Sequence, residues 1–215
     1  MVNPFDYFKH PTTVSFLFIL FFMINPAANS ADANCGPPNP NEDDYWHPRD
    51  DHLKLVEQYH FGPEVEFLRA PLKGLAANLD YTLRHFPNHP RALLAVSKLE
   101  RRLGGQYPQL KTWTWHRSAE CYFKRAIRLR PDDPNVYQLI AIDLHLKGSL
   151  DEALKAYKQA ETLAPNSASN HYNLGLLYFD RENYDLAKTH AQKAYKLGYK
   201  LPGLREKLAQ VGKWP

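Results

Sequence analysis

Two cysteines, two methionines and ten glycines are few for a chain of 215 residues. Two cysteines exclude a dense disulfide framework and a four-thiolate zinc site, and no CxxC, CxxCH or HExxH occurs. A Gly-rich phosphate loop is missing as well, which removes the usual signature of a nucleotide enzyme. Charge of neither sign dominates: 27 Lys and Arg stand against 23 Asp and Glu, a formal net charge of +4. Such a balance is weak evidence for a nucleic-acid or membrane partner. What the chain does have is 44% hydrophobic and 13% aromatic residues, a globular composition, and 17 prolines to mark helix boundaries.

The one continuous apolar run, VSFLFILFFMI at residues 14–24, follows Lys9 and His10. It is too short to cross a bilayer as a helix and suits the apolar centre of a secretory signal. Ala31, Asp32 and Ala33 then fit a small-x-small cleavage site, with cleavage after Ser30 as an alternative and an uncleaved anchor as the other reading. Residues 1–33 are thus expected to be a signal peptide. The protein is expected to be periplasmic or secreted, with no stable membrane span after cleavage and no nucleic-acid partner. In that setting Arg125, Arg128 and Arg130 read as a solvated helix face.

The stretch SAECYFKRAIRLRPDD, residues 118–133, returns in outline 34 residues later. Ala119, Ala153 and Ala187 share one phase, Ala126, Ala160 and Ala194 a second, and Leu129, Leu163 and Leu197 a third. Phe123 pairs with Tyr157 and Pro131 with Pro165. These positions fall on one face of a helix, where alanine lets a second helix approach closely. Proline ends that helix, and Asp133 with Pro134 forms the cap and first position of the next. Gly148 near a helix end and a Ser149…Glu152 capping box are expected to shape the turn of the middle copy. In the preceding helix Tyr137, Ile140, Ala141 and Leu144 match His171, Leu174, Gly175 and Tyr178.

This pattern resembles the tetratricopeptide repeat family, whose units are 34-residue helix pairs. The resemblance implies an all-α superhelix of about three repeats, a C-terminal capping helix and an irregular N-terminal arm. The expected divisions are an arm at 34–52, a degenerate repeat region at 53–87, a repeat with an inserted loop at 88–133, repeats at 134–167 and 168–201, and a cap at 202–215. Whether LKLVEQYHFGPEVEFL is helix or hairpin stays open, because its periodicity fits both. The combination CG…ECYF.RAIRLRPDD…HYNLGLLYF…LPGLR also resembles a set of exported proteobacterial repeat proteins, which implies a compartment but no activity.

Cys121 takes the place held by Lys155 and Thr189 in the later copies, an outward and usually polar position. Cys35 lies in the proline-rich arm. Two cysteines in an oxidising compartment suggest a Cys35–Cys121 disulfide stapling the arm across the back of the stack, against the alternative of two unrelated thiols.

Candidate chemistry is sparse. His47, Asp50, Asp51 and His52 in HPRDDH are the best metal-like cluster, but their spacing matches no known site and a solvated linker is the better reading. His85 and His89 are separated by helix-breaking Pro87, and His171 stands at a packing position. No cofactor or metal is expected and no catalytic residue is assigned. The working surface is expected to be the concave groove lined by first helices, at Gln138, Ile142, His145, Tyr172, Asn173, Leu176 and Phe179. Asn173 matches one asparagine of the family's carboxylate clamp, but Gln138 and Ile142 stand where a basic residue and an amide are required, so clamp-type capture is not expected. Tyr107, Trp113, Trp115 and His116 in the insertion form a possible second surface, or fold back onto neighbouring helices. The reading is a non-enzymatic module that binds a protein or peptide partner in the bacterial cell envelope, as a scaffold or assembly factor. The alternative is an accessory subunit of an envelope redox or carbohydrate-active enzyme.

Overall fold

A computed structural model describes residues 35, 37–104, 109–110, 113–114 and 117–214, the short segments at 109–110 and 113–114 by their backbone alone. The expected signal peptide lies outside the described residues. The element order is α1 (His52–His60), α2 (Pro63–Glu66), α3 (Leu72–His85), α4 (Pro90–Arg102), β1 (Gln109–Leu110), β2 (Trp113–Thr114), α5 (Ala119–Leu129), α6 (Pro134–Leu146), α7 (Leu150–Leu163), α8 (Ala168–Asp180), α9 (Tyr184–Lys196) and α10 (Gly203–Gln210). The fold is all-α. Its described strands are the two antiparallel residues on each side of a small hairpin within the insertion.

Consecutive helices pack as pairs, α4 with α5, α6 with α7 and α8 with α9, and α1 packs on α3 at the N-terminal end. The repeating alanines explain the pairing. All six, at 119, 126, 153, 160, 187 and 194, are buried, and Phe123 and Tyr157 fill the space beside them. The leucines of the third phase carry less of the packing, since Leu197 is exposed. The open question at residues 53–68 resolves as helix. Val56, Phe61 and Val65 are buried, the last two in a core with Leu75 and Leu79 of α3, while extended Gly62 and Pro63 break α1 from α2.

The caps follow the sequence in most places. Side chains of Asp133, Ser118, Ser167 and Asn183 accept from free amides at the starts of α6, α5, α8 and α9. Ser149 stands at the N-cap of α7 but makes no side-chain cap bond, so the expected capping box is not formed. Gly148 before it has φ +81°, the left-handed conformation expected of a helix-ending glycine.

Two apolar cores meet at α6. Val136 belongs to the first, with Leu79, Leu83, Leu93, Val96 and Tyr122; Ala141 belongs to the second, with Tyr157, Leu174, Leu177 and Leu204. The joint between them is polar. Ser97 donates to Asp143 at 2.5 Å, and the Lys147 ammonium bridges Asp143 at 2.8 Å and Glu100 at 2.7 Å. Glu100 also accepts from the first amide of α5, that of Ala119, at 2.7 Å. Every oxygen drawn out of water here finds a donor, as a buried polar joint requires.

The arm crosses the outer faces of α3 and α5. Its Cys35 is joined to Cys121 by a disulfide with a Cα–Cα separation of 5.4 Å, and both residues are buried. The three arginines of α5 and its end are not a solvated face. Arg125 is only 1% exposed and donates to Glu42 of the arm at 2.9 Å; Arg128 holds the same carboxylate, and Arg130 holds Asp44. Trp46 adds an indole bond to Asp133 at 2.7 Å. Arginine at these positions therefore recognises the arm's own acids.

His89 caps α4 in an unusual way. Its Nδ1 accepts from the Ala92 amide at 3.2 Å, which leaves Nε2 to donate to Glu57 at 3.2 Å. Burial, with the nearby Arg91 guanidinium, pushes its pKa down to about 3 from the ordinary 6.5. Protonation would also abolish the acceptor that caps the helix. A lowered folded pKa means that stability is fully present above about pH 6.5 and is lost as pH falls toward 3, by about 1.4 kcal/mol per unit. His89→Asn keeps a capping oxygen without the titration. Urea unfolding at pH 7, 5.5 and 4.5 is expected to show an acid limb shallower by about one proton in the variant; parallel curves would refute this role for His89.

Candidate functional site

The first helices α4, α6 and α8 lie side by side, so the residues they turn inward share one surface. Between α6 and α8 this surface is tied at both ends. Ser169 donates to Gln138 at 3.1 Å, and His145 Nε2 meets Asp180 at 2.9 Å. Between these ties Ile142, Asn173 and Leu176 are half-buried, with Phe179 beside them. Asn173 has no hydrogen-bond partner among the described residues. An amide half out of water on a surface that also carries aliphatic side chains is suited to pair with a main-chain amide of an extended segment.

Tyr172 is placed differently. It is 8% exposed, its ring stacks on Tyr199 at 4.2 Å, and its hydroxyl accepts from the Leu204 amide at 3.2 Å. Tyr172 therefore seats the capping helix and is not open groove surface. Leu204 and Leu208 of that helix are buried in the second core, and Lys207 lies 5.1 Å from the Phe179 ring. In effect α10 stands where a further first helix would stand and covers the C-terminal end of α8.

The surface also stops at α4. Leu93, Ser97 and Glu100 have the spacing of Gln138, Ile142 and His145, yet all three are buried. Ser97 and Glu100 are engaged by Asp143 of α6 and by Lys147 at its C-cap. Sequence reasoning missed this closure because its signal, one acid on α6 and one lysine at its C-cap, becomes legible only when the two helices are set side by side. Leu146, 59% exposed at the end of α6 next to His145, extends the apolar rim and was missed too.

The other candidates are dispersed. Of the insertion aromatics, Trp113 is placed by its backbone in β2, while Tyr107, Trp115 and His116 lie outside the described residues. His47 contacts Asp44 at 2.8 Å, and His52 contacts Asp43 at 3.1 Å and His85 at 3.2 Å, so the HPRDDH residues do not converge on one point. Two open hollows of about 620 and 500 Å³ lie at the N-terminal end, the first between the arm, α1 and Arg91, the second beside His52 and His85. Among the described residues no helix is long and apolar enough to cross a membrane.

Stacked antiparallel helix pairs with an open inner face and a covered end define a helical-repeat interaction module. Family models match at residues 143–181, described as TPR repeat, and 168–197, described as tetratricopeptide repeat. Residues 143–197 thus carry tetratricopeptide repeats. Among solved structures it is similar to a thermophilic TPR protein of Thermus thermophilus, with 22% identity, a TM-score of 0.50, and coverage of 75% of this chain and 81% of that one. A crystal structure of MamA protein gives 16% identity and a TM-score of 0.50 over 76% of this chain and 84% of that one. A TPR protein of Parabacteroides merdae gives 18% and 0.50 over 74% of this chain and 59% of that one. At such identities the likeness shows the fold. No curated protein matches the sequence.

Proposed function

We propose that the protein works in the cell envelope, after export, by holding an extended peptide segment of a partner protein in the groove between α6 and α8. The observation that carries this reading is the half-buried Asn173 amide, which shares with half-buried Ile142 and Leu176 a pair of helices already braced against each other. Bracing matters because a surface that does not rearrange loses little entropy on binding. The apolar run at residues 14–24 and the Cys35–Cys121 bond support an exported, oxidising location. The role proposed for such a binding module is that of a scaffold or assembly factor.

Selection from a displayed library of unstructured peptides, followed by fluorescence anisotropy, tests the reading. The selected peptide is expected to lose at least about tenfold in affinity for Asn173→Ala, the worth of one well-placed hydrogen bond. Ile142→Glu is expected to abolish binding. Equal affinity for both variants and the parent would place the site elsewhere. Tyr172 is the wrong residue to probe, since its loss would unseat α10.

A further inference from the structure

Three side chains from three helices meet behind the groove. Glu161 of α7, His171 of α8 and His190 of α9 place one ligand-type atom each within 4.8 Å of the others. His171 is 1% exposed and His190 8% exposed. The His171 ring is oriented by a fixed partner: Nε2 lies 2.9 Å from the Pro165 carbonyl, which can only accept. Nε2 therefore carries the proton, and Nδ1 presents a lone pair inward. That lone pair lies 3.1 Å from His190 Nδ1 and 3.5 Å from a Glu161 carboxylate oxygen. Lys158 holds the other oxygen of Glu161 at 2.8 Å, which turns the first toward the histidines.

A neutral hydrogen bond between the two rings accounts for one of these contacts. It does not account for a carboxylate converging on the same point from a third helix. A tetrahedral zinc ion bonded at about 2.0–2.1 Å sets neighbouring ligand atoms roughly 3.3 Å apart. The separations of 3.1 and 3.5 Å bracket that value, and the third, between His190 and Glu161, lies within 4.8 Å. A histidine that donates its second ring nitrogen to a backbone carbonyl is also the usual support of a metal ligand.

We propose that Glu161, His171 and His190 bind a divalent transition-metal ion, zinc being the best fit to two imidazoles and one carboxylate. Glu161 supplies the charge and, being partly exposed, the route of entry. A fourth position is left for water or a donor from a partner. Bound there, the ion ties α8 to a second helix on each side, and α8 carries Asn173 and Leu176. The site stands on its own geometry and does not depend on the peptide-binding reading.

The test is calorimetric titration of zinc into chelator-treated, untagged protein, with thermal unfolding run in parallel. One ion per chain is expected, with a raised unfolding midpoint. Glu161→Gln, a near-isosteric change at a partly exposed position, is expected to keep the fold and weaken binding at least about tenfold. His190→Gln should remove it, while a His47→Gln/His52→Gln control in the arm should bind as the parent does. The proposal is overturned if the folded parent takes up no zinc. It is equally overturned if Glu161→Gln binds as the parent does, or if the arm control is the variant that loses the ion.

Discussion

Glu42→Ala is expected to destabilise the folded chain by about 3–5 kcal/mol, far more than a surface acid normally would. The reason lies across the interface. Arg125 is almost wholly buried, and its Nε and Nη1 atoms have no partner among the described residues. Glu42, itself largely buried, is the countercharge that makes this burial tolerable. Removing it strands a guanidinium out of water. Replacing both residues together, as Glu42→Leu/Arg125→Met, is expected to recover much of the loss, because well-packed apolar side chains often substitute for a buried pair at little cost. Chemical denaturation of the three proteins checks this. A loss below about 1 kcal/mol for Glu42→Ala would mean that Arg125 reaches water and that the arm is not a structural part of the stack.

Breaking the Cys35–Cys121 bond, by Cys121→Ala with Cys35→Ser, is expected to cost about 2–5 kcal/mol. The two cysteines are 86 residues apart, so the bond removes much freedom from the unfolded chain. The arm it holds also carries Glu42, Asp44 and Trp46. Releasing one end should weaken their contacts with Arg125, Arg130 and Asp133, so the disulfide and Glu42 effects are expected to combine to less than their sum. Simple additivity would show that the ion pair and the disulfide act independently. Two free thiols in unreduced, unfolded protein would remove the bond from the account altogether.

Much of this fold was legible because its signal is periodic. The alanines at 34-residue spacing mark the helix faces that bury, and Pro134, Pro165 and Gly148 mark where helices start and stop. The disulfide was legible from a count of two cysteines together with the place of Cys121, a thiol where the other copies carry Lys155 and Thr189. What was not legible depends on meetings between distant residues. Arg125 looks like one more charge on a polar face until Glu42, 83 positions earlier, is laid upon it. Helical phase turned Tyr172 inward correctly, but phase does not say that α10 returns to cover it. His171 reads as a packing residue because His190 is on the next helix and Glu161 on the previous one. Of the seven predicted groove residues, Ile142, Asn173, Leu176 and Phe179 are half-buried, Gln138 and His145 tie α6 to α8, and Tyr172 seats α10.

The proposed function requires the groove to be the working face. A photo-reactive amino acid placed at position 142 or 173 of the full chain, activated in intact cells that produce it, tests this most directly. Lys155, exposed on the outer helix α7, is the control position. A discrete cross-linked adduct is expected from 142 and 173, competed by the selected peptide, and none from 155. Adducts from 155 alone, or none from either groove position while 155 reacts, would contradict it and move the working face to the outside of the stack.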